Sequence, residues 1–209
     1  MSRAAEWRLL ERTGALVAQL LFIAAGVYLG NRADAWKEER SHREAARAAL
    51  ANFRREVAAN QHAVAIVLPY HTALRDTLRA VERRNARSVD TLFAVFRYDG
   101  GGFQGFRPPN LSRTALQLAL ATQSLSYLPP DLAFGIADAY QQQEVYSGIQ
   151  QSFMANVFSP AFFRDDNRGS SFAAIKVFLG DAAYQEPALL KRYAALLPRL
   201  DSALAAARR

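Results

Sequence analysis

An uninterrupted apolar run near the N-terminus constrains this chain more than any other feature. Residues 15–29, ALVAQLLFIAAGVYL, contain no charged side chain, and Gln19 is their one strongly polar member. With its flanking residues the run reaches about 18 residues, the minimum for a helix that crosses the hydrocarbon core of a bilayer. We therefore predict a transmembrane helix over residues 14–30, preceded by a short tail at residues 1–13.

Aromatic side chains lie near the ends of this run. They are Trp7, Tyr28 and Trp36. Trp and Tyr are enriched at membrane–water interfaces, where the ring is half in lipid and the polar atom meets water. We predict these three residues as interfacial anchors.

Two other interpretations of the run stay open. The first is a cleaved signal peptide, because basic residues precede the run and Ala33-Asp34-Ala35 has the small-x-small pattern of a cleavage site. Against cleavage, Glu6 and Glu11 dilute the positive charge, and the helical pattern continues through the site. The second is a buried core helix, which is possible at this length. We favour the retained anchor.

One face of the predicted membrane helix has the composition of an association surface. Gln19, Gly26 and Gly30 fall on the same side at 3.6 residues per turn, and the two glycines form a GxxxG pattern. Glycines allow two backbones to approach closely, and an amide can hydrogen-bond between helices in lipid. We predict that these three residues contact a second membrane helix.

The helical pattern continues beyond the membrane over residues 31–68. Residues of this stretch recur at alternating spacings of three and four, as in the seam of a coiled coil or bundle helix. The seam residues are Leu50, Phe53, Val57, Asn60 and Val64. The turns closest to the membrane lack an apolar stripe, which predicts a solvated stalk that leads into the first bundle helix. Pro69 is expected to end or kink this helix.

Residues 69–209 are predicted to form an α-helical bundle. A second amphipathic helix is expected at residues 70–86, and residues 89–98 fit either a helix or a strand. The glycine-rich stretch at residues 99–109 lacks the Gly-Lys-Ser/Thr ending of a phosphate loop and is expected to be a flexible connection. Phe103 and Phe106 should tuck into the core.

The second half of the chain is expected to hold three more helical segments. Ser112 can cap a helix that runs to about Ser124. Pro130 opens a longer helix to about Phe158, with residues 141–143 facing water. A short element at residues 172–179 follows, and Pro187 begins the terminal helix. The predicted fold is therefore mainly α, with a transmembrane helix, a stalk helix and a helical bundle.

Composition and charge exclude several classes of protein. Hydrophobic residues make up 51% of the chain and charged residues 22%, which supports a packed core and argues against disorder. The absence of Cys rules out disulfides, thiolate metal sites and Cys nucleophiles. The net charge of +7 lies mostly in the first half and suits anionic lipid head groups. We predict no nucleic-acid partner, because no groove-reading motif accompanies the basic residues.

Residues 26–40, GVYLGNRADAWKEER, resemble the signature of a bacterial family of uncharacterised single-pass membrane proteins. In that family an N-terminal membrane helix ends in an Asn/Asp-x-Trp-x-Glu-x-Arg type motif, which is similar to the sequence around Trp36. A second similarity lies in Arg113-Thr-Ala-Leu, in residues 122–125 and in the helix with Tyr140, although the glycine of the family's turn is absent here. The resemblance implies an anchored helical domain of unknown function, and no catalytic residue is carried over from it.

No group of residues has the spacing of a catalytic or metal site. His42, His62 and His71 do not pair as metal ligands at helical spacing, and Asp165 and Asp166 lack the spaced ligands and terminal Glu of a calcium loop. No Gly-x-Ser-x-Gly elbow is present. We therefore predict no catalytic residue, no metal and no cofactor.

These patterns favour a protein that acts through binding and is not an enzyme, as an accessory or scaffold component of a membrane complex. Its expected partners are the lipid bilayer and another membrane protein or a second copy. The alternative is a small-molecule sensor that binds a ligand near residues 99–109 and relays a change through the stalk to a partner. A secreted or anchored hydrolase is the third hypothesis, with Asp165 or His62 as its active residue.

The expected location is the bacterial cytoplasmic membrane, crossed once. Nearby basic residues do not decide the orientation, because three in the tail (Arg3, Arg8, Arg12) and the amine oppose four beyond the run (Arg32, Lys37, Arg40, Arg43). Long domains translocate largely regardless of charge, so we favour a periplasmic body.

Overall fold

The computed structural model describes the backbone of residues 3–84, 96 and 103–207. Before residue 34 it describes only the side chains of residues 22, 26 and 28–32. The regular elements are four helices, α1 (Arg3–Arg84), α2 (Thr114–Ala121), α3 (Pro130–Val157) and α4 (Arg168–Ala206), with short 3-10 turns at Ser124–Tyr127 and Asp165–Asn167. No strand occurs in these described ranges, so the prediction of a mainly α fold is confirmed there.

Helix α1 continues through Pro69 to Arg84, so the expectation that Pro69 ends the helix is wrong. A proline inside a helix loses one backbone hydrogen bond, here to the carbonyl of Ala65. Pro69 and Ala65 are both exposed, so water can reach the freed carbonyl. The buried seam continues past the proline through His71, Leu74 and Leu78 without a change of spacing. Packing on the inner face therefore holds the helix together while the defect lies on the outer face.

The same arrangement corrects the prediction for the last third of the chain. Residues 172–179 and the terminal helix predicted from Pro187 are parts of one helix, α4, which contains both Pro187 and Pro198. Both prolines are exposed. The buried residues Ala182, Glu186 and Leu189 keep spacings of four and three across Pro187. The helix is therefore continuous because its buried face is continuous.

The chain divides into two compact units, residues 1–45 and 46–209. The first unit is helical, and its described side chains are mostly exposed. Among the described residues of this unit, two ion pairs join residues one turn apart, Arg40–Glu44 at 3.0 Å and Arg43–Glu39, and the His42 ring lies 3.9 Å from Glu38. Exposed pairs of this kind are worth only about 0.3–0.5 kcal/mol each. These turns have the solvated character expected of a stalk.

The second unit packs α3 and α4 against the C-terminal part of α1 around two apolar clusters. One cluster contains the predicted seam residues Leu50, Phe53, Val57 and Val64, all of them buried. The other gathers aromatic side chains, including Phe106, Phe153 and Phe178. Phe103 and Phe106 are buried, as expected for the end of the glycine-rich connection. Of residues 89–102, the structure describes only Phe96, so the prediction for that stretch lies outside the described residues.

The predicted membrane helix is only partly covered by the description. Among the residues that the structure describes, no helix is both long and apolar enough to cross a membrane. Within residues 15–29, that set includes the side chains of Phe22, Gly26, Tyr28 and Leu29 only. The backbone of these residues and of most of the predicted tail belongs to α1.

The exposed position of Pro69 leads to a testable expectation. Replacing Pro69 with Ala restores an amide donor inside α1, and the free energy of unfolding should rise by about 1–3 kcal/mol. Thermal unfolding of the full chain in mild detergent, followed by circular dichroism, measures the change. The control is Pro160→Ala, at an exposed proline in the turn between α3 and α4, which should not stabilise the chain. A loss of stability in Pro69→Ala would mean that the proline shapes the helix for packing.

Candidate functional site

Polar side chains interrupt the apolar seams of the three long helices. Asn60 and His71 belong to α1, and Glu186 belongs to α4. From α3 come Gln143, Gln150 and the phenol of Tyr146. All are at least nine-tenths buried, and buried polar groups are costly unless they are paired. Their contacts form the candidate site.

The most enclosed contact joins His71, Glu186 and Tyr146, which are all fully buried. His71 Nδ1 lies 2.6 Å from Glu186 Oε1, and Tyr146 donates its hydroxyl to the same oxygen at 2.5 Å. His71 Nε2 lies 2.6 Å from the carbonyl oxygen of Phe106. Because a carbonyl oxygen only accepts, Nε2 must carry the proton of that bond. The imidazole therefore links α1 to α4 and to the loop, and Tyr146 joins α3 to the same carboxylate oxygen.

A proton shared between His71 and Glu186 satisfies both groups in either of two arrangements. An imidazolium donates to a carboxylate, or a protonated carboxyl donates to the neutral imidazole at Nδ1. The pair is neutral overall in both cases, which suits a site away from water. Burial raises the pKa of Tyr146, and the neighbouring Glu186 raises it further. Tyr146 therefore remains a hydroxyl donor toward Glu186 well into the alkaline range.

Two buried polar atoms beside this contact have no hydrogen-bond partner among the described residues. They are Glu186 Oε2 and Gln150 Nε2. The carboxylate oxygen is an acceptor and the amide nitrogen is a donor, so the two atoms have complementary hydrogen-bonding roles. Because His71 and Glu186 have no exposed surface, the contact is closed to a substrate from solution. Its chemistry is suited to holding helices and a loop in place.

The same histidine holds the described end of the glycine-rich connection. Next to it on α1, Tyr70 donates to the carbonyl of Gly105 at 2.7 Å and accepts from the amide of Gln104 at 3.0 Å. The loop backbone turns through positive φ values, 81° at Gly105 and 46° at Arg107. The Arg107 guanidinium lies 5.4 Å from the centre of the Tyr70 ring. Residues 103–107 are therefore fixed to α1 by hydrogen bonds as well as by apolar packing.

A second buried polar layer lies further toward the start of the bundle. Asn60 and Tyr193 both donate to Gln143 Oε1, at 3.0 and 2.8 Å. Asn60 and Gln143 also donate to the carbonyl of Ser112, at 2.7 and 2.9 Å, and the Ser112 amide donates to Asn60 at 2.9 Å. Gln143 was expected to face water and is in fact buried. Its amide is satisfied by groups on α1, on α4 and in the preceding loop.

Glu56 on α1 caps helix α2, a role that the sequence suggested for Ser112. The carboxylate accepts from the amide of Ala115 at 3.0 and 3.1 Å. It also accepts from the hydroxyls of Ser112 and Tyr140, both at 2.6 Å. Ser112 donates its hydroxyl to Glu56 and accepts from the amide of Thr114 at 3.4 Å, so it and Glu56 together cover the start of the helix. Burial and the adjacent Glu56 raise the pKa of Tyr140, which keeps its hydroxyl protonated.

The structure places the other predicted site residues as follows. Gly26 and Gly30 are exposed, and a Cβ added to either would meet no atom within 4 Å. Tyr28 is 61% exposed and Trp36 is 65% exposed. The side chains of Trp7 and Gln19 lie outside the described residues. Asn60, predicted on the seam of α1, is buried in the second polar layer.

Residues considered for chemistry are dispersed over the structure. His62 is exposed, and Asp165 pairs with Arg168 at 2.6 Å on the surface. Within the described part of the chain, no three His, Cys, Asp or Glu side chains are grouped to hold a metal ion. His71 and Glu186 could have been found by extending the three-and-four spacing of each seam through its proline. Their pairing could not, since 115 residues separate them.

Comparisons with known proteins found no relative of this chain. No family model matches the chain, and neither the curated proteins nor the solved structures contain a match. The resemblance around Trp36 therefore stays a prediction.

The buried contact of His71 predicts that removing Glu186 destabilises the chain more than removing the exposed Glu144. Glu186→Ala leaves His71 and Tyr146 buried without their partner, and we expect the free energy of unfolding to fall by about 3–5 kcal/mol. Glu144→Ala is the matched control on the bundle surface, where Glu144 pairs with Arg113 at 2.9 Å. That variant should lose at most about 1 kcal/mol. Urea unfolding in mild detergent measures both, and equal losses would contradict the central role of Glu186.

Proposed function

We propose that this chain is a membrane-anchored helical protein that acts by binding, as an accessory or scaffold component of a membrane complex. One observation carries the proposal, the exposure of large apolar side chains in the N-terminal run. Phe22 is 82% exposed, Leu29 is 66% exposed and Tyr28 is 61% exposed. The described residues of this unit leave these side chains uncovered, and a surrounding outside the unit would bury them.

A bilayer is the surrounding that best fits these exposed side chains. Transfer of a Phe or Leu side chain out of water is worth about 1.5–3 kcal/mol. The run has no charged residue over residues 15–29, and aromatic residues stand near both ends. A single crossing by residues 14–30 would bury the run and leave Trp36 near the interface. We propose the bacterial cytoplasmic membrane as the location, with the body on the periplasmic side.

The interior of the body supports binding rather than catalysis as the mode of action. The buried histidine, carboxylate and phenol are engaged with one another and with the loop backbone. They therefore contribute to the shape of the bundle. A rigid bundle presents a fixed surface to a partner, which lowers the entropy cost of association.

The anchor is tested by one charge in the middle of the run. The native chain should pellet with membranes and resist carbonate extraction. Phe22→Arg places a charge at the run's centre, which costs about 2.5–3.5 kcal/mol for insertion, so a larger fraction should be released. The matched control is Phe134→Arg, at a Phe of α3 that is 75% exposed, and it should pellet like the native chain.

Two results would contradict the anchor. One is complete release of the native chain by carbonate. The other is an N-terminal sequence of the mature protein that starts at Trp36, because it would show cleavage after Ala35 and removal of the run.

The association face is tested at its two glycines. Because an added Cβ at Gly26 or Gly30 meets no atom of the described residues within 4 Å, a double change to Ile should act on a neighbouring helix. We expect weaker self-association or loss of a co-purifying membrane protein in mild detergent. Leu29→Ile is the control, since it changes the run without filling the glycine face. Unchanged assembly of the double variant would contradict the predicted contact, and recovery of a bound small molecule alone would favour the sensor alternative.

A further inference from the structure

A small polar pocket lies between the loop before α2 and the middle of α3. Its volume is about 250 Å³, and six of its eight lining residues carry a polar side chain. Tyr140 and Gln143 are buried at its inner side, whereas Arg113 and Glu144 are exposed at its rim. Pockets that hold drug-sized molecules are mostly apolar and measure about 300–1,000 Å³. This pocket therefore fits a smaller ligand that carries many hydrogen-bonding groups.

The second buried polar layer holds the walls of the pocket in place. Leu111 and Arg113 line the pocket from the loop. Ser112, which lies between them, accepts from Asn60 and Gln143 at its carbonyl and donates its amide to Asn60. These hydrogen bonds fix the loop side of the pocket to α1 and α3. A preformed pocket lowers the entropy cost of binding a ligand.

The charged residues of the pocket favour a neutral ligand. Arg113 donates to Glu144 at 2.9 Å, so the guanidinium and the carboxylate of the rim are paired with each other. Among the described residues that line the pocket, no other is charged. A charged ligand would have to separate this pair to gain a partner of its own. A neutral ligand can leave the pair intact, because the guanidinium has five N–H donors and the carboxylate has two acceptor oxygens.

Two polar side chains of the pocket have no hydrogen-bond partner in the described part of the chain. Ser147 is half-buried and Gln151 is exposed, and they lie one turn apart on α3. A hydroxyl and a primary amide each offer both donors and acceptors. The ligand therefore meets donors and acceptors side by side. Neighbouring hydroxyl groups on a ring match this pattern without net charge, because each of them donates and accepts.

We propose that this pocket binds a single neutral sugar ring, which is a free monosaccharide or the end of a glycan chain. The ring hydroxyls bond to Ser147, to Gln151 and to the rim pair, and a C–H face of the ring lies toward Leu111. The inference goes beyond the proposed function, because it concerns the body alone and does not depend on the membrane anchor. It gives a protein that acts by binding a defined class of ligand.

The test uses the full chain in a detergent without a sugar head group, such as lauryldimethylamine oxide. Saturation-transfer difference NMR detects binding of glucose, galactose, mannose and N-acetylglucosamine, and a titration gives the Kd of each. A ligand of about 12 non-hydrogen atoms with ordinary contacts should bind with a Kd of about 1 mM. Comparison of the best sugar with its trisaccharide separates the two sources, because a glycan end predicts tighter binding of the trisaccharide.

Two charged sugars test the neutrality of the ligand. Glucosamine keeps the ring and adds a positive charge, and glucuronate keeps the ring and adds a negative charge. Each should bind at least about fivefold more weakly than the best neutral sugar, because its charge finds the rim residues paired. A charged sugar that binds as tightly as the neutral sugars would overturn the proposed ligand class.

One variant blocks the pocket without disturbing the bundle. Gly148 lines the pocket, and a Cβ added to it would meet no atom within 4 Å. Gly148→Leu should fill the pocket and weaken the best sugar by about tenfold or more. Gly169→Leu is the matched control, since this exposed glycine of α4 has the same open space and lies outside the pocket. The control should bind like the native chain.

A second variant removes one hydrogen bond to the ligand. Ser147→Ala should weaken the best sugar by about threefold to tenfold. Ser152→Ala, at an exposed serine of α3 outside this pocket, should leave the affinity unchanged. Failure of all four neutral sugars to bind would overturn the proposal, and so would native affinity in both Gly148→Leu and Ser147→Ala. Carbonate extraction judges the anchor separately, so failure of the sugar site and failure of the proposed function are distinguishable.

Discussion

The contact between His71 and Glu186 is the interaction on which the bundle depends most. Each group alone would be a polar or charged atom in a site with no access to water, at a cost of several kcal/mol. Together they share one proton, and the second nitrogen of His71 fixes the loop at Phe106. Tyr146 brings α3 into the same contact. The imidazole and the carboxylate together determine where α3, α4 and the loop meet α1.

A second polar layer restricts the register of the three helices further. This layer joins the same three helices through hydrogen bonds among Asn60, Gln143 and Tyr193. On α1, Asn60 lies eleven positions before His71. Apolar seams with spacings of three and four can slide by seven residues and still bury their side chains. Sliding here would leave both polar layers unpaired. The bundle therefore obtains its stability from the apolar clusters and its register from the buried polar groups.

The apolar pattern predicted the helical class, the seam of α1 and the bounds of α3 to within a residue or two. It failed at Pro69 and Pro187 because the rule for proline is local, whereas the cost of a missing hydrogen bond depends on whether water reaches the freed carbonyl. It failed at Gln143 because a polar side chain on a seam is indistinguishable in sequence from one facing water until its partners are known. Those partners, Asn60 and Tyr193, lie 83 and 50 residues away.

Several polar side chains of this chain are buried, and several large apolar side chains are exposed. The buried His71, Glu186 and Gln143 are engaged with partners of their own chain, so their chemistry is directed inward. Some large apolar side chains are exposed instead, among them Phe22 near the N-terminus and Val145 and Val177 on the body. Exposed apolar side chains that line a groove or a single run mark contact surfaces.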